Sequence, residues 1–380
     1  FCRMKKGIAV LLTLWTLFFL PIFGNPGRAS PVILRPSVYA GGYVLLEKED
    51  RLKIAGENEH LSLSPASTTK IMTCLVVLEQ ADLNEDVVVS ENASLTEGSS
   101  AYLRKGEHLT VKELLYCLML ASANDAATAL AEHVAGSIED FAAMMNEKAR
   151  SLGMKNTHFT NPHGLDDEEH RTTAYDLAIL ACSALDNPDF AKIAATKYIT
   201  VGKEESRRTL TNHNRLLFSL KGCIGVKTGY TMHSGRCLVS ACRRNGTTLV
   251  CVTLNCRNDW ESHTNLYAYG FDTVRRFFFE GVTLSLPMAN AEQRKIEVYS
   301  EGLSLLGSSD SRVTSRIYAP ECLYPPLSEG SVVGQVEVYL DGKLYRTLPL
   351  LSAEQVEEPP QPGLWRRLLL FLRSLFGLDG

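Results

Sequence analysis

The 380 residues have an ordinary globular composition, 45% hydrophobic and 22% charged, and the length allows one large domain and a smaller one. The net charge is −4, so nucleic acid is not an expected partner. Ten cysteines form no C-x-x-C pair and no metal-ligand cluster. We therefore expect buried free thiols in preference to disulfides, and no metal or other cofactor.

The N-terminal segment has the layout of a secretory signal peptide. Lys5 and Lys6 precede an apolar run over residues 7–23, and small residues follow up to Ala29. We predict a signal peptide over residues 1–29. An uncleaved membrane anchor is the alternative, because the apolar run reaches the lower limit of a spanning length. In both cases the rest of the chain is expected outside the cytoplasm.

Residues 30–280 predict a domain of helices and strands, because their apolar residues switch between helical spacing and two-residue alternation. A capping box at Thr110 begins one helix, and Asp125 is expected to cap the next. Asn245 and Gly246 indicate a hairpin. The predicted elements are two strands in 41–56, helices in 68–81 and 109–120, a helix ending at Gly136, a three-stranded meander in 225–255 and a helix in 260–279.

The C-terminal part of the chain has a different character. Short alternating runs in residues 281–356 predict a small β-rich domain, with a hairpin turn at Asp341 and Gly342. Residues 357–380 contain a proline-rich linker followed by the segment "LWRRLLLFLRSLFGL".

This last segment predicts an amphipathic helix that lies in a membrane surface. It is shorter than the roughly 20 apolar residues that span a bilayer. On a helical wheel, Arg366, Arg367, Arg373 and Ser374 fall within a sector of about 120°, and apolar residues occupy the remainder except for Leu370 on the polar side. A helix docked on the β-rich domain is the alternative.

Three short polar motifs stand out, Ser67-Thr68-Thr69-Lys70, Ser122-Ala123-Asn124 and Lys227-Thr228-Gly229. Residues three apart share a helix face, so Ser67 and Lys70 would point the same way. A lysine can act as the base of a serine nucleophile when burial and a nearby cation lower its pKa, and Lys227 is the candidate cation. Taken singly, such residues are helix caps, turn residues or strand residues. The ordered set of three indicates catalysis.

The three motifs are similar to the S-x-x-K, S-x-N and K-T-G set of penicillin-binding proteins and serine β-lactamases. The segments "SPASTTKIMT", "FTNPHGL", "HRTTAYDLA" and "GVKTGYTMHSGRCLVSA" closely resemble the low-molecular-weight D-alanyl-D-alanine carboxypeptidases. The resemblance covers about residues 42–279, and the C-terminal part matches that family's plan. It implies the α/β penicillin-binding fold, an antiparallel sheet with helices on both faces, followed by a small β-rich domain.

The resemblance also implies the catalytic roles. Ser67 is expected to be the nucleophile and Lys70 its base, while Ser122 relays a proton towards the leaving amine. The backbone N–H groups of Ser67 and Tyr230 are expected to form an oxyanion hole.

The substrate-binding roles follow in the same way. Asn124 is expected to hold the amide backbone of the substrate. Lys227 and Thr228 suit the terminal carboxylate, because an ammonium and a hydroxyl both donate hydrogen bonds to it. Gly229 is expected to leave room for the substrate beside the strand.

The implied activity is that of a serine carboxypeptidase that removes the last D-alanine from peptidoglycan stem peptides. The resemblance also implies that β-lactams such as penicillin inhibit the enzyme covalently. The enzyme is expected at the outer face of the cytoplasmic membrane. A DD-endopeptidase uses the same residues and stays an open alternative. A serine β-lactamase needs a glutamate-activated water, usually in E-x-x-L-N, a pattern that Glu168 and Glu169 do not provide. A non-catalytic penicillin sensor would need a spanning link to a cytoplasmic domain, which we do not find in the sequence.

Other polar residues in the resembling segments are expected to be structural. His163 and His170 invite a Ser-His scheme, but we predict packing or hydrogen bonding for both. Asp176 is predicted to be a cap or a buried structural acid.

Overall fold

The structure, a computed structural model, describes residues 34–203, 206–289, 291, 295–308, 310–358 and 365. The predicted signal peptide, and all of the predicted C-terminal helix except Trp365, lie outside the described residues. Across the described part of the chain, no helix combines the length and the apolar character that crossing a membrane requires.

The larger part of the molecule is built on a five-stranded antiparallel sheet, as predicted. Its strands, in spatial order, are β2 (Lys53–Glu57), β1 (Gly42–Glu47), β9 (Thr247–Leu254), β8 (Gly235–Arg244) and β7 (Cys223–Thr231). The predicted hairpin between β8 and β9 is confirmed, because Asn245 and Gly246 have φ values of 48° and 77°, the left-handed pair that such a turn needs. Strand β7, at the edge of the sheet, carries the third motif.

Helices cover both faces of this sheet. They are α1 (Lys70–Gln80), α2 (Glu91–Ser94), α3 (Val111–Leu120), α4 (Asn124–Ala135), α5 (Ile138–Ser151), α6 (Ala174–Ala184), α7 (Pro188–Ala195), α8 (Leu216–Ser219) and α9 (Asp259–Thr273). Successive residues of a strand point to opposite faces. Accordingly Val44 and Leu46 join the large core with α1 and α3 to α7, whereas Tyr43 and Leu45 pack with Tyr267 of α9.

Local signals place several helix ends and short strands. The capping box at the start of α3 is confirmed, because Glu113 accepts from the Thr110 backbone N–H at 2.9 Å and the Thr110 hydroxyl accepts from the Glu113 backbone N–H at 3.2 Å. Helix α4 ends before Gly136, whose φ is 81°. Two-stranded ladders join β3 (Asp86–Val88) to β4 (His108–Thr110) and β5 (Tyr198–Val201) to β6 (Arg208–Thr211).

The predicted helix over 260–279 is wrong at its C-terminal end. Helix α9 ends at Thr273, and β10 (Arg275–Phe279) pairs instead with β13 (Leu303–Gly307). Arg276 is buried and forms an ion pair with Glu47 at 2.7 Å, while Phe277 and Phe279 pack on the core of the β-rich part. These long-range contacts favour a strand of aromatic residues over continuation of the helix.

The C-terminal β-rich part is a second antiparallel sheet. Its strands, in spatial order, are β11 (Val282–Pro287), β12 (Lys295–Ser300), β16 (Lys343–Ser352), β15 (Val332–Leu340) and β14 (Val313–Tyr318). The predicted turn between β15 and β16 is confirmed, with φ values of 52° at Asp341 and 76° at Gly342.

The cysteines that the structure describes are all free thiols. Seven of them are buried, and Cys223 and Cys322 are half-buried. The prediction of buried free thiols is confirmed for those seven, which act as small apolar side chains.

Candidate active site

The first motif lies on a strained turn of 3₁₀ helix, Ala66–Thr69, at the start of α1. Ala66 has a φ of 48°, a conformation that costs an alanine roughly 1–3 kcal/mol unless its surroundings hold it. The Thr68 hydroxyl donates to the Pro65 carbonyl at 2.7 Å, and the Thr69 hydroxyl donates to the Ala66 carbonyl at 2.8 Å. These bonds hold Ser67 half-buried in the wall of a cavity.

The segment containing "FTNPHGL" supports the same turn. Gly164 has a φ of 86°, and a Cβ there would lie 2.0 Å from the Ala66 carbonyl oxygen. The Thr160 backbone N–H donates to His170 Nδ1 at 3.0 Å, which leaves Nε2 to donate to the Thr69 hydroxyl at 2.8 Å. Burial lowers the pKa of His170 to about 4, so the ring is neutral at pH 7. The hydrogen-bonding role predicted for His170 is confirmed.

The amino group of Lys70 is buried within reach of three oxygens. It lies 2.9 Å from Ser67 Oγ, 2.7 Å from Asn124 Oδ1 and 2.6 Å from the His163 carbonyl. Burial lowers the pKa of Lys70 well below its usual value, and the charge of Lys227 lowers it further. The first motif therefore has the buried lysine and the cationic neighbour that the sequence predicted.

A neutral amine at Lys70 has a defined orientation. The Asn124 side-chain oxygen and the His163 carbonyl can only accept hydrogen bonds, so they take two N–H groups of the amine. The lone pair is left facing Ser67, whose hydroxyl can donate to it. The role of the His163 carbonyl was not predicted, because every residue has a backbone oxygen and its use cannot be read from the residue type. The resemblance of the segment "FTNPHGL" to the family was the one sequence feature that pointed to this region.

The second and third motifs are joined directly. Lys227 Nζ donates to Ser122 Oγ at 3.0 Å and to the Thr228 carbonyl at 2.9 Å. Lys227 is 1% exposed, and burial lowers its pKa to about 7. Ser122, with a φ of 59°, thus presents its hydroxyl between the cavity and a lysine that changes charge near neutral pH.

Asn124 is fixed at both ends of its side-chain amide. Its oxygen accepts from Lys70, and its Nδ2 donates to the Glu97 carbonyl at 2.6 Å. A Cβ on Gly98 would lie 2.6 Å from that nitrogen, so the approach requires glycine. Among the described residues the second N–H of Nδ2 has no acceptor.

The predicted helix cap at Asp125 is wrong. Helix α4 begins at Asn124 with Ala123 as its N-cap, and the Asp125 carboxylate points elsewhere. It accepts from the Ser100 hydroxyl at 2.6 Å and from the backbone N–H groups of Ala101 and Leu103 at 3.1 and 3.0 Å. Asp125 therefore anchors a loop beside the second motif. Asp176, by contrast, is the predicted buried structural acid, since it accepts from the Asn156 backbone and the Thr157 hydroxyl.

Gly229 brings strand β7 against the turn that carries the first motif. A Cβ at this position would lie 3.0 Å from the backbone nitrogen of Ser67 and 3.1 Å from the Pro65 carbonyl oxygen. A side chain at position 229 would therefore collide with the backbone of the first motif. The prediction was that glycine here leaves room for a substrate. The close approach puts the backbone of β7 beside Ser67. An oxyanion hole formed by the N–H groups of Ser67 and Tyr230 requires this proximity.

A cavity of about 610 Å³ opens in front of these residues. Of the predicted site residues, its lining contains Ser67, Ser122, Thr228, Gly229 and Tyr230. Lys70, Asn124 and Lys227 are buried behind that lining. The lining also contains Arg236, Asp259 and Trp260, for which the sequence analysis predicted no role.

Glu168 and Glu169 are exposed, and Glu168 borders a different cavity together with His233. Within the described ranges, the one carboxylate that lines the cavity at Ser67 is Asp259, and it is bonded to Arg236. A class A β-lactamase uses a glutamate to activate the attacking water, and among the described residues no glutamate lines this cavity.

Two families match this chain. Residues 30–258 match the D-alanyl-D-alanine carboxypeptidase family, and residues 290–358 match the C-terminal domain of penicillin-binding protein 5. D-alanyl-D-alanine carboxypeptidase DacF of Bacillus subtilis is 31% identical over 331 residues, which cover 83% of this chain and 85% of the relative. DacC of Escherichia coli, of the same description, is 30% identical, with 99% of this chain and 98% of the relative covered.

Solved structures agree. Penicillin-binding protein 5 from Haemophilus influenzae superposes with a TM-score of 0.64 at 28% identity, over 86% of this chain and 99% of that one. The carboxypeptidase DacD from Francisella tularensis gives the same TM-score at 25% identity, over 89% of this chain and 100% of that one. The predicted fold class is confirmed. The chain belongs to the D-alanyl-D-alanine carboxypeptidase family of serine hydrolases, among the low-molecular-weight penicillin-binding proteins.

Proposed function

We propose that this carboxypeptidase removes the terminal D-alanine from peptidoglycan stem pentapeptides through an acyl-enzyme on Ser67. The observation that carries the proposal is the 2.9 Å pairing of Ser67 Oγ with the buried amine of Lys70, at the wall of the cavity. The family acts on peptides that end in D-alanyl-D-alanine and binds penicillin. The proposal adds which side chains perform each step.

In the first half-reaction, Lys70 takes the proton of the Ser67 hydroxyl, and Oγ attacks the carbonyl carbon of the penultimate D-alanine. The backbone N–H groups of Ser67 and Tyr230 stabilise the resulting oxyanion. Lys227 and Thr228 hold the substrate's terminal carboxylate, while the second N–H of the Asn124 amide contacts the peptide backbone.

The scissile C–N bond then breaks. Ser122 donates a proton to the nitrogen of the leaving D-alanine and is reprotonated through its contact with Lys227. Free D-alanine departs and an ester on Ser67 remains. Water attacks this ester and its proton passes through Ser122 to Lys227. Lys70 returns its proton to Ser67 Oγ, so both lysines regain their starting state, and the shortened peptide is released.

β-Lactams are expected to stop at the ester. Opening of the lactam C–N bond leaves the amine attached to the acyl group, so no fragment departs to make way for water. The lining offers no glutamate to activate a water molecule, within the residues that the structure describes. A slowly hydrolysed adduct on Ser67 follows.

A product assay distinguishes this proposal from the endopeptidase alternative. We expect protein without residues 1–29 to release one alanine from a stem pentapeptide and to leave a cross-linked stem-peptide dimer intact, with products identified by mass. The Ser67→Ala protein is the control and should give no product. Cleavage of the dimer with the pentapeptide untouched would contradict carboxypeptidase activity and support an endopeptidase.

We also propose the predicted division and location of the chain. Residues 1–29 direct export, residues 30–280 carry the catalysis, residues 281–356 form the β-rich domain, and residues 357–380 bind the outer face of the cytoplasmic membrane. The sequence pattern of the last segment supports surface attachment, since a helical wheel puts its arginines in one sector and its apolar residues, except Leu370, in the remainder.

Flotation with anionic liposomes tests the membrane proposal. Protein without residues 1–29 is expected to float with the vesicles, because the arginines meet lipid phosphates while the apolar face enters the acyl boundary. The same protein ended at Pro360 is expected to stay in the load fraction. Replacement of Arg366, Arg367 and Arg373 by Gln should weaken flotation. Equal behaviour of the full and shortened chains would rule out the anchor and leave the catalytic proposal untouched.

A further inference from the structure

Cys223 on β7 and Cys242 on β8 stand directly opposite each other in the larger sheet. Among the described strand pairings this is the one place where two cysteines are in register. The Arg243 backbone N–H donates to the Gly222 carbonyl at 2.8 Å, so these two residues form the adjacent hydrogen-bonded pair. The two kinds of antiparallel pair alternate, so the cysteines form a non-hydrogen-bonded pair with Cα atoms about 4.5 Å apart. Disulfides join cysteines whose Cα atoms are about 4.4–6.8 Å apart.

Both thiols lie on the face of the sheet that packs against α9. Opposed residues of an antiparallel pair share a face, and Cys242 is buried in the same core as Tyr267. Cys242 Sγ donates to the Lys221 carbonyl at 3.5 Å, and Cys223 Sγ donates to the Gly225 carbonyl at 3.4 Å. Thiols are weak donors, so these contacts oppose rotation about χ1 only slightly. Such a rotation turns the two sulfur atoms towards each other.

The ladder between the two strands is irregular beside this pair. The register shifts between Cys223 and Gly225, so Ile224 is an extra residue on β7. In the described sheet β7 is also an edge strand, held by β8 alone. Cys223 is half-buried and Cys242 is fully buried, so an external reagent reaches Cys223 first. A bond between them closes the hairpin at the end opposite its turn, on the strand that carries the third motif.

We propose that Cys223 and Cys242 form a disulfide when the folded protein meets a disulfide oxidant. The Cys223 thiolate attacks one sulfur of a small external disulfide and releases one thiol, which leaves a mixed disulfide on Cys223. The Cys242 thiolate then attacks the Cys223 sulfur, and the second external thiol departs. The protein loses two protons and two electrons, and the external disulfide is reduced to two thiols.

The proposed location of the chain is one in which this bond persists. Outside the cytoplasm disulfides form and are retained. This consequence rests on the proposed export, whereas the reactivity of the pair and the catalytic proposal are independent of each other. The remaining described cysteines on the strands face no cysteine and stay thiols.

Oxidation of the folded protein by glutathione disulfide tests the proposal. Burial raises the pKa of Cys223 to about 11 and also raises the pKa of Cys242, so the reaction is run at mildly alkaline pH, where more thiolate forms. Protein without residues 1–29 is oxidised, unfolded and alkylated with N-ethylmaleimide. We expect its intact mass to show two fewer maleimide groups than the reduced protein carries, and no bound glutathione.

Peptide mapping locates the bond. Trypsin should yield residues 222–227 linked to residues 237–243. The second peptide also contains Cys237, which stands opposite Gly229, so Cys237→Ala is the matched control and should keep the link. Cys223→Ala and Cys242→Ala should each lose it. If an alanine variant does not fold, fragmentation of the linked wild-type peptides identifies the bonded cysteine.

Thermal unfolding provides a second readout. The bond closes a loop of roughly 20 residues in the unfolded chain, so oxidised wild type is expected to unfold at a Tm about 5 °C above that of reduced wild type. Cys242→Ala should have the same Tm in oxidising and reducing buffer. An unchanged maleimide count, glutathione that stays bound, a link between other cysteines or a Tm lowered by oxidation each overturns the proposal. Acylation of Ser67 by benzylpenicillin is measured separately and tests the proposed function alone.

Discussion

Replacement of Ser67 by alanine is expected to abolish the covalent adduct with benzylpenicillin and to lower kcat on D-alanyl-D-alanine peptides by on the order of 10⁵–10⁶-fold. The reason is that Oγ of Ser67 is the atom that bonds to the acyl carbon, and alanine offers no replacement. The mass of the intact protein measures the adduct. Digestion with trypsin then locates it, since cleavage after Lys53 and Lys70 yields one peptide with the motif serine.

That peptide supplies its own controls. It also contains Ser62, which is exposed, and Ser64, whose hydroxyl donates to Asp166 at 3.3 Å. Ser62→Ala and Ser64→Ala are both expected to keep the adduct, at a rate near that of wild type. An adduct that persists in Ser67→Ala, or disappears in Ser62→Ala, contradicts the assignment of the nucleophile.

Replacement of Lys70 by methionine is expected to lower the second-order rate of acylation by about 10²–10⁴-fold, the usual contribution of a general base. Methionine keeps much of the buried volume but cannot accept the Ser67 proton. The rate is measured from adduct mass against time. Lys112→Met, at an exposed position of α3, is the matched control and should acylate normally. A Lys70→Met rate within a few-fold of wild type would show that another group is the base.

The pH dependence of acylation tests the same base. The protonated amine cannot accept a proton, so the wild-type rate should fall as the pH drops through the pKa of Lys70. Burial and the Lys227 charge hold that pKa well below 10.5, so the fall in rate should lie well below the pH at which an ordinary lysine loses its proton. Lys227→Met removes the neighbouring charge, so the acidic limb should move to higher pH. A limb that moves to lower pH would contradict the coupling between the two lysines.

Local rules were sufficient for much of the fold. The Ser67 to Lys70 spacing puts both side chains on one helix face, whatever surrounds them. The Asn245-Gly246 turn and the capping box at Thr110 depend on the conformations open to a few adjacent residues. Such features are encoded within a turn or two of chain, and the structure contains them as predicted.

The predictions from sequence were wrong where contacts with distant residues outweighed local preferences. Asp125 has the composition of a helix cap, yet its carboxylate is satisfied by the loop at Ser100 to Leu103. The end of α9 is another case, because β10 forms only when β13 and Glu47 are beside it. Both choices depend on partners far along the chain, which no local pattern identifies.

The sequence by itself determined the order of the three motifs, the pattern of helices and strands around them and the separate β-rich part. Only the tertiary structure decided the properties on which chemistry depends. The pKa of Lys70 is lowered by burial under distant segments and by Lys227, and its orientation is defined by Asn124 and a backbone oxygen of His163. Arg236 gains its place at the cavity only when β8 and α9 meet. Desolvation and hydrogen-bond direction arise from the three-dimensional environment, since they depend on which atoms exclude water and which lie within about 3 Å.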